Sequence, residues 1–138
     1  MHTSHLVLTN KMSELDKLRD FLEDIASQWG IPPAVGMSVN LALEEAFANI
    51  VNYAFKDELP HEIAFRFQKK DDQLVISISD DGQSFDPTKK SAPDLTLPAE
   101  ERPIGGLGIL LVTKIMDKVE YKRMDNTNQL TLTKQINQ

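Results

Sequence analysis

The chain has 138 residues, within the range of one domain with a single core, and its 41% hydrophobic and 26% charged residues are ordinary for a globular protein. A formal charge of −6 without any cluster of Lys and Arg excludes a broad surface for phosphate backbones, so no nucleic-acid partner is expected. Zero cysteines exclude disulfides and thiolate metal sites, no apolar run is long enough to span a bilayer, and "MHTSHLVLTN" lacks a basic region followed by an apolar stretch; the expectation is one cytoplasmic domain over residues 1–138 with no membrane association.

In chain order, "SHLVLTN" alternates weakly and predicts an edge strand. "SELDKLRDFLEDIASQWG" predicts an amphipathic helix with Ser13 as N-cap, apolar positions at Leu15, Leu18, Phe21, Leu22 and Ile25, and Gly30 as its stop. The prolines of "IPPAVG" suit a helix start, and a long helix is expected over residues 33 to 55. "HEIAFRFQKK" and "QLVISISD" alternate around "DD" as an antiparallel hairpin. A loop rich in Pro, Ser, Asp and Lys covers residues 82 to 103, and loops of that length in compact domains are usually functional. "GGLGILLVTKIMDK" restarts a helix, and "VEYKRMDNTNQLTLTKQ" predicts a second hairpin with its turn near Asp125 to Asn128. Helices followed by paired strands predict an α+β two-layer sandwich, with helices on one face of a mixed, mainly antiparallel sheet.

Three constellations carry chemistry. On the long helix, Val39, Leu43, Ala46, Phe47, Ile50 and Ala54 share one face, while Ser38, Glu45, Asn49 and Asn52 line up nearly opposite. A solvated face is one reading, but Asn is a poor exposed-helix residue. Glu and Asn four residues apart can offer a carboxylate and a carboxamide oxygen to one hard cation such as Mg²⁺. In "LVISISDDGQSFDP", the period of two that puts Leu74, Ile76 and Ile78 on the core face puts Asp80 there as well, whereas Asp81 falls on the other side. A core-facing acid is costly unless paired. It either caps the Gly82 turn or accepts a hydrogen bond from the exocyclic amine of a base. In "RPIGGLGILLV", Gly105, Gly106 and Gly108 precede or open a helix, where backbone N–H groups can approach an anion; a hinge is the alternative. Neither a Walker A loop nor a Rossmann turn fits these glycines.

Taken together, "EEAFAN", "DDGQSFDP" and "GGLGILLV" resemble the N box and the two glycine boxes of the Bergerat-type ATP-binding fold shared by histidine kinases and gyrase-like ATPases, the GHKL superfamily. The Phe-Asp-Pro after the first glycine box, "IMDKVEY" and "LTLTK" extend the likeness over nearly the whole chain to one branch, the RsbW-like anti-sigma-factor serine/threonine kinases. No phosphoacceptor helix pair precedes the domain, which speaks against an ordinary sensor histidine kinase. The resemblance implies an α/β sandwich holding ATP between helices and a lid. It implies that Asn49 ligates Mg²⁺, Asp80 accepts from adenine N6, Gly82 keeps the adenine edge open, and Gly106 and Gly108 contact phosphates. Gly105 and Leu107 of the second glycine box and Asn52 on the polar stripe are counted with the nucleotide-binding set.

By the same resemblance Glu45 is the general base for the attacking hydroxyl, Arg102 in the lid supplies positive charge to the γ-phosphate or is simply a solvated loop residue, and Arg19 contacts the protein partner. The chain departs from the family pattern at Tyr53, where many members have His, and at Thr127-Asn128, where a Gly-Thr pair normally precedes the last strand and its Thr helps hold adenine; Thr131 lies on that strand. The implied activity is phosphorylation of a STAS-type anti-sigma-factor antagonist by a homodimer that otherwise holds a sigma factor. The rival class is a non-catalytic module in which ATP only sets partner affinity. Glu45 favours the enzyme, since such a module has no need of that acid.

Overall fold

A computed structural model describes residues 2–55, 57–84 and 106–136, with the side chains of 106–109 left aside. The elements are β1 (His2–Thr9), a 3-10 turn at Met12–Glu14, α1 (Leu15–Trp29), α2 (Pro33–Tyr53), β2 (Glu62–Lys70), β3 (Gln73–Asp80), α3 (Gly106–Ile115), β4 (Lys118–Met124) and β5 (Thr127–Gln135). The strands form one five-stranded sheet in the order β1-β2-β3-β5-β4, antiparallel at every pairing. Helices and sheet make the two layers that the sequence predicts.

One face of the sheet is the core. Ile63, Phe65 and Phe67 of β2, Leu74, Ile76 and Ile78 of β3 and Leu130 and Leu132 of β5 are buried at alternate positions, against Leu18, Leu22 and Ile25 of α1 and Val39, Leu43, Ala46, Phe47 and Ile50 of α2. Each such side chain fully withdrawn from water contributes roughly 1.5–3 kcal/mol before entropy is charged against it. Helix α2 also packs on both α1 and α3, so it has neighbours on its flanks as well as below.

Turn chemistry sets the register. Asp71 adopts φ 55° between β2 and β3, and Asp125 and Asn126 adopt φ 53° and 62° between β4 and β5, the paired positive values of a two-residue hairpin turn. That turn is tighter than the sequence reading: Thr127 and Asn128 belong to β5, with Asn128 directly opposite Asp80 of β3. Helix α3 likewise stops at Ile115, short of the expected "MDK", because the Asp117 amide donates to the Thr133 carbonyl at 2.9 Å and Lys118 pairs with Thr133 as a strand. Gly30 closes α1 at φ 70°, as expected.

The start of α1 differs from expectation. Ser13 does not cap it; it sits in the 3-10 turn, and Glu14 occupies the N-cap position without capping the helix. The Glu14 side chain turns back instead, and its Oε1 accepts from the Thr9 amide at 3.1 Å and the Thr9 hydroxyl at 2.9 Å, while Oε2 pairs with Lys17 Nζ at 2.8 Å. This clamp fastens the end of the edge strand to the first helix. Lys17 and the two Thr9 donors hold the carboxyl well below its ordinary value, from 4.5 down to about 2. A lowered carboxyl pKa in the fold contributes stability that is present above the unfolded value and lost as pH falls through the folded one. Glu14→Gln should therefore lower the melting temperature at neutral pH, with the deficit shrinking between pH 4.5 and 2. Thermal melts across that range check it, and a pH-independent deficit would assign the loss to packing rather than to charge.

Candidate functional site

The period of two that buries Leu74, Ile76 and Ile78 carries Asp80 to the end of the same row, and the carboxylate is 5% exposed. Its Oδ1 accepts from the Gly82 amide at 2.9 Å and from Asn128 Nδ2 at 3.0 Å. The turn-capping reading is therefore met by one oxygen, and Oδ2 has no hydrogen bond among the described residues. Burial pushes the Asp80 carboxyl above its ordinary value, opposed by the Asn128 and Gly82 donors and by Arg123, and assisted by the neighbouring charge of Asp81. Asp81 itself points the other way, exposed, with its Oδ1 3.5 Å from His61 Nδ1; that imidazole stacks on Phe55 with ring centroids 4.1 Å apart.

Gly82 holds this strand end against the last turn of α2. A Cβ built there would lie 2.4 Å from the Ala54 carbonyl oxygen, so no larger residue fits without moving backbone. The next residue completes the junction, the Gln83 amide donating to Ala54 O at 2.7 Å and its side-chain Nε2 to Tyr53 O at 2.6 Å. The chain that follows Asp80 thus donates to two carbonyls at the helix end, where intrahelical donors run out.

One turn and a half back along α2, about 7.5 Å of rise, lies Asn49. It is 5% exposed, whereas Glu45 is half-buried and Asn52 exposed, so the polar stripe is graded by burial and not uniformly solvated. Asn49 Nδ2 donates to the Glu45 carbonyl at 2.9 Å, which leaves its Oδ1 buried and without a hydrogen-bond partner among the described residues. An orphaned amide oxygen costs about 1–3 kcal/mol. It also suits a hard oxygen-seeking cation, and so the residues present fit Mg²⁺ as the resemblance implies. No group of three or more His, Cys, Asp or Glu able to hold a metal occurs among the described residues, so such an ion would take most of its ligands from water or from what it binds with.

Gly106 opens α3, with Leu107 and Gly108 in its first turn. Gly105 and Arg102 lie outside the described residues, as does most of the expected 82-to-103 loop. Arg19 is exposed on α1, pairs with Asp16 at 2.5 Å, and borders a groove of about 640 Å³ between α1 and α2 with Leu22, Ala26, Met37 and Asn40. Thr131 pairs with Ser77 and Glu120, three residues along β5 from Asn128 and away from the Asp80 end.

Three residues of the site are not among the sequence candidates. Asn128 is 5% exposed and donates to Asp80 and, at 2.8 Å, to the Gln83 carbonyl. Its Oδ1 accepts from the Tyr121 hydroxyl and from Arg123 Nη1 at 2.9 Å, and the same Nη1 donates to the Gly82 carbonyl at 2.9 Å. The signal for Asn128 was present: counting back by two from Leu132 and Leu130 reaches it on the core face, by the parity that singled out Asp80.

Residues 8–134 match the model of the histidine kinase-like ATPase domain. The serine/threonine-protein kinase BtrW of Bordetella bronchiseptica is 31% identical over 113 residues, 82% of this chain and 80% of its own length. The serine-protein kinase RsbW of Listeria monocytogenes is 36% identical over 121 residues, 85% of this chain and 76% of its own length. Among solved structures, one of the RsbU and RsbW domains of a Mycobacterium tuberculosis protein superposes with a TM-score of 0.71 at 13% identity, covering 99% of this chain and 33% of that one. The histidine kinase domain of a blue-light-activated kinase from Erythrobacter litoralis gives 0.58 at 14% identity, covering 91% of this chain and 60% of that one, and both likenesses speak for the fold. With the site at the junction of α2 and β3 and a family match over all but the two ends, the chain belongs to the histidine kinase-like ATPase family, beside the RsbW-type serine-protein kinases.

Proposed function

We propose that the chain is an ATP- and Mg²⁺-dependent serine/threonine protein kinase that acts as an anti-sigma factor in the cytoplasm. Its substrate in this reading is a STAS-type antagonist, and a homodimer holds the sigma factor when the antagonist is absent. One observation carries the nucleotide part: a buried carboxylate with both its hydrogen bonds on one oxygen, Asp80, and a buried amide oxygen without a hydrogen-bond partner among the described residues, Asn49, lie at the C-terminal half of one helix. A 6-amino purine on the first and a metal-bound polyphosphate on the second would satisfy both. Relatives named serine-protein kinases support the reaction class.

In this reading Asp80 accepts from the base amine and Gly82 leaves room for the base edge. Asn49 holds the cation, and Asn52 lies on the same stripe. Gly105, Gly106, Leu107 and Gly108 border the phosphates at the start of α3, where the helix favours anions. Mg²⁺, when bound, neutralises phosphate charge. Glu45, half-buried one turn before Asn49, accepts the proton of the attacking hydroxyl, and phosphoryl transfer asks only modest help from such a base. Arg102 adds positive charge at the γ-phosphate. Arg19 is the partner contact: it borders a groove whose apolar lining includes Met37, 74% exposed. No described helix is long and apolar enough to cross a membrane.

Saturating Mg-ATP should raise the melting temperature, since a ligand at 100 times its dissociation constant adds about 2.7 kcal/mol. No shift at millimolar Mg-ATP would remove the nucleotide reading.

Asp80→Asn should weaken ATP binding by about 1.5–3 kcal/mol, the worth of a charged hydrogen bond. With the amide oxygen kept by Gly82 and Asn128, its NH₂ would confront the base amine. Equal affinity in a folded variant, measured by calorimetry, would leave Asp80 with the turn alone.

Glu45→Ala should leave ATP affinity largely intact and slow γ-phosphate transfer to a partner hydroxyl by roughly 10²- to 10⁴-fold. Asn49→Ala should instead lose nucleotide affinity in the presence of Mg²⁺. Transfer by Glu45→Ala at the wild-type rate would move the reading to an ATP-dependent binding module.

A further inference from the structure

We propose that Asn128 is a positioning residue for nucleobase selectivity: clamped by Tyr121 and Arg123, it turns its amide onto Oδ1 of Asp80 and so reserves Oδ2, as an acceptor, for a 6-amino purine. The inference rests on the nucleotide reading above and deepens it.

The orientation of the Asn128 amide is fixed by what surrounds it. Arg123 Nη1 can only donate, and it lies 2.9 Å from Asn128 Oδ1, with the Tyr121 hydroxyl donating to the same oxygen. On the other side lie two acceptors, Asp80 Oδ1 at 3.0 Å and the Gln83 carbonyl at 2.8 Å. A flipped amide would set NH₂ against a guanidinium and a carbonyl oxygen against a carboxylate. Three of the four contacts, those with Arg123, Asp80 and the Gln83 carbonyl, would become unfavourable, and only the Tyr121 hydroxyl could turn and accept.

With both its N–H groups and both its acceptor sites engaged, Asn128 has nothing left to offer a ligand. Its effect on a base must therefore pass through Asp80. Two donors, Gly82 N–H and Asn128 Nδ2, converge on a single carboxylate oxygen and stabilise the ionised form, so the other oxygen faces a ligand as a pure acceptor. An acceptor there takes the 6-amino group of adenine and repels the 6-oxo group of hypoxanthine or guanine. Arg123 reinforces this from a distance, tying Asn128 to the Gly82 carbonyl through one nitrogen and holding both of the donors' carriers in place.

The test compares ATP with ITP, which differ at the 6-position of the purine, by calorimetry on wild-type protein, Asn128→Ala and Arg123→Met. Wild type should bind ATP the more tightly. Asn128→Ala should lose ATP affinity by about tenfold or more while ITP affinity holds or rises, because the lost charge-assisted alignment bears on the amine alone. Arg123→Met, half-buried and leaving Asn128 in place, should narrow the ATP:ITP ratio to a lesser degree. A merely structural role would weaken both nucleotides together and leave the ratio unchanged, and that result overturns the inference while the nucleotide reading stands. Wild type that binds neither nucleotide overturns both. Should Asn128→Ala fail to fold, the ratio in Arg123→Met decides, an unchanged ratio sinking the proposal.

Discussion

A single carboxylate placed at the end of a core-facing strand row sets the terms for the structure around it. Asp80 cannot be buried as a charge without donors, and hydrophobic neighbours provide none. The donors come from the turn that follows it and from the strand beside it, Gly82 N–H and Asn128 Nδ2. Each imposes a further condition. The first requires a tight turn and a residue without Cβ against Ala54, which fixes how β3 meets the end of α2. The second requires the β3–β5 register that sets Asp80 opposite Asn128, and a one-residue slip of β5 would turn Asn128 to the other face.

Helix α2 carries the complementary cost. Its lower face belongs to the core, and its flanks are covered by α1 and α3, so a polar residue off the sheet-facing row can still be buried. Asn49 is such a residue, and its amide donates to its own helix, leaving the oxygen unmatched among the described residues. An Ala or Leu at that position would avoid the unmatched oxygen. Proteins that keep a local loss of about 1–3 kcal/mol at one buried group usually do so where binding recovers it.

Much of this was legible because strand parity and helix periodicity are local. Parity alone marked Asp80 as the acid to explain, and the wheel separated Glu45 and Asn49 from the apolar face. The fold class followed from the order of helices and hairpins. Two kinds of feature were not legible. Glu14 won over Ser13 at the start of α1 because its carboxylate found Thr9 on the neighbouring strand, a contact that no capping rule within the helix encodes. Tyr121 and Arg123 meet Asn128 and Gly82 only through the β4–β5 register, and that depends on a turn of two residues where four were expected.

The register also explains why the polar groups gather at one end of the sheet. Along β3 the helix-facing row runs Leu74, Ile76, Ile78, Asp80; along β5 it runs Leu132, Leu130, Asn128; along β4 it runs Val119, Tyr121, Arg123. All three rows turn from apolar to polar at the same level, whereas β2, on the other side of β3, ends in the fully buried Ile63. Acid, amide and guanidinium thus stand side by side across three strands. A direct Asp80–Arg123 pair would offset the buried charge most strongly, but it would occupy the carboxylate and close it to any ligand. With Asn128 interposed, the positive charge acts at one remove, and the Asp80 carboxyl remains above its ordinary value while still holding two donors on one oxygen. The arrangement gives up part of the electrostatic compensation available to it and keeps an open acceptor inside the protein, which is a sensible exchange only if the second oxygen has something to bind.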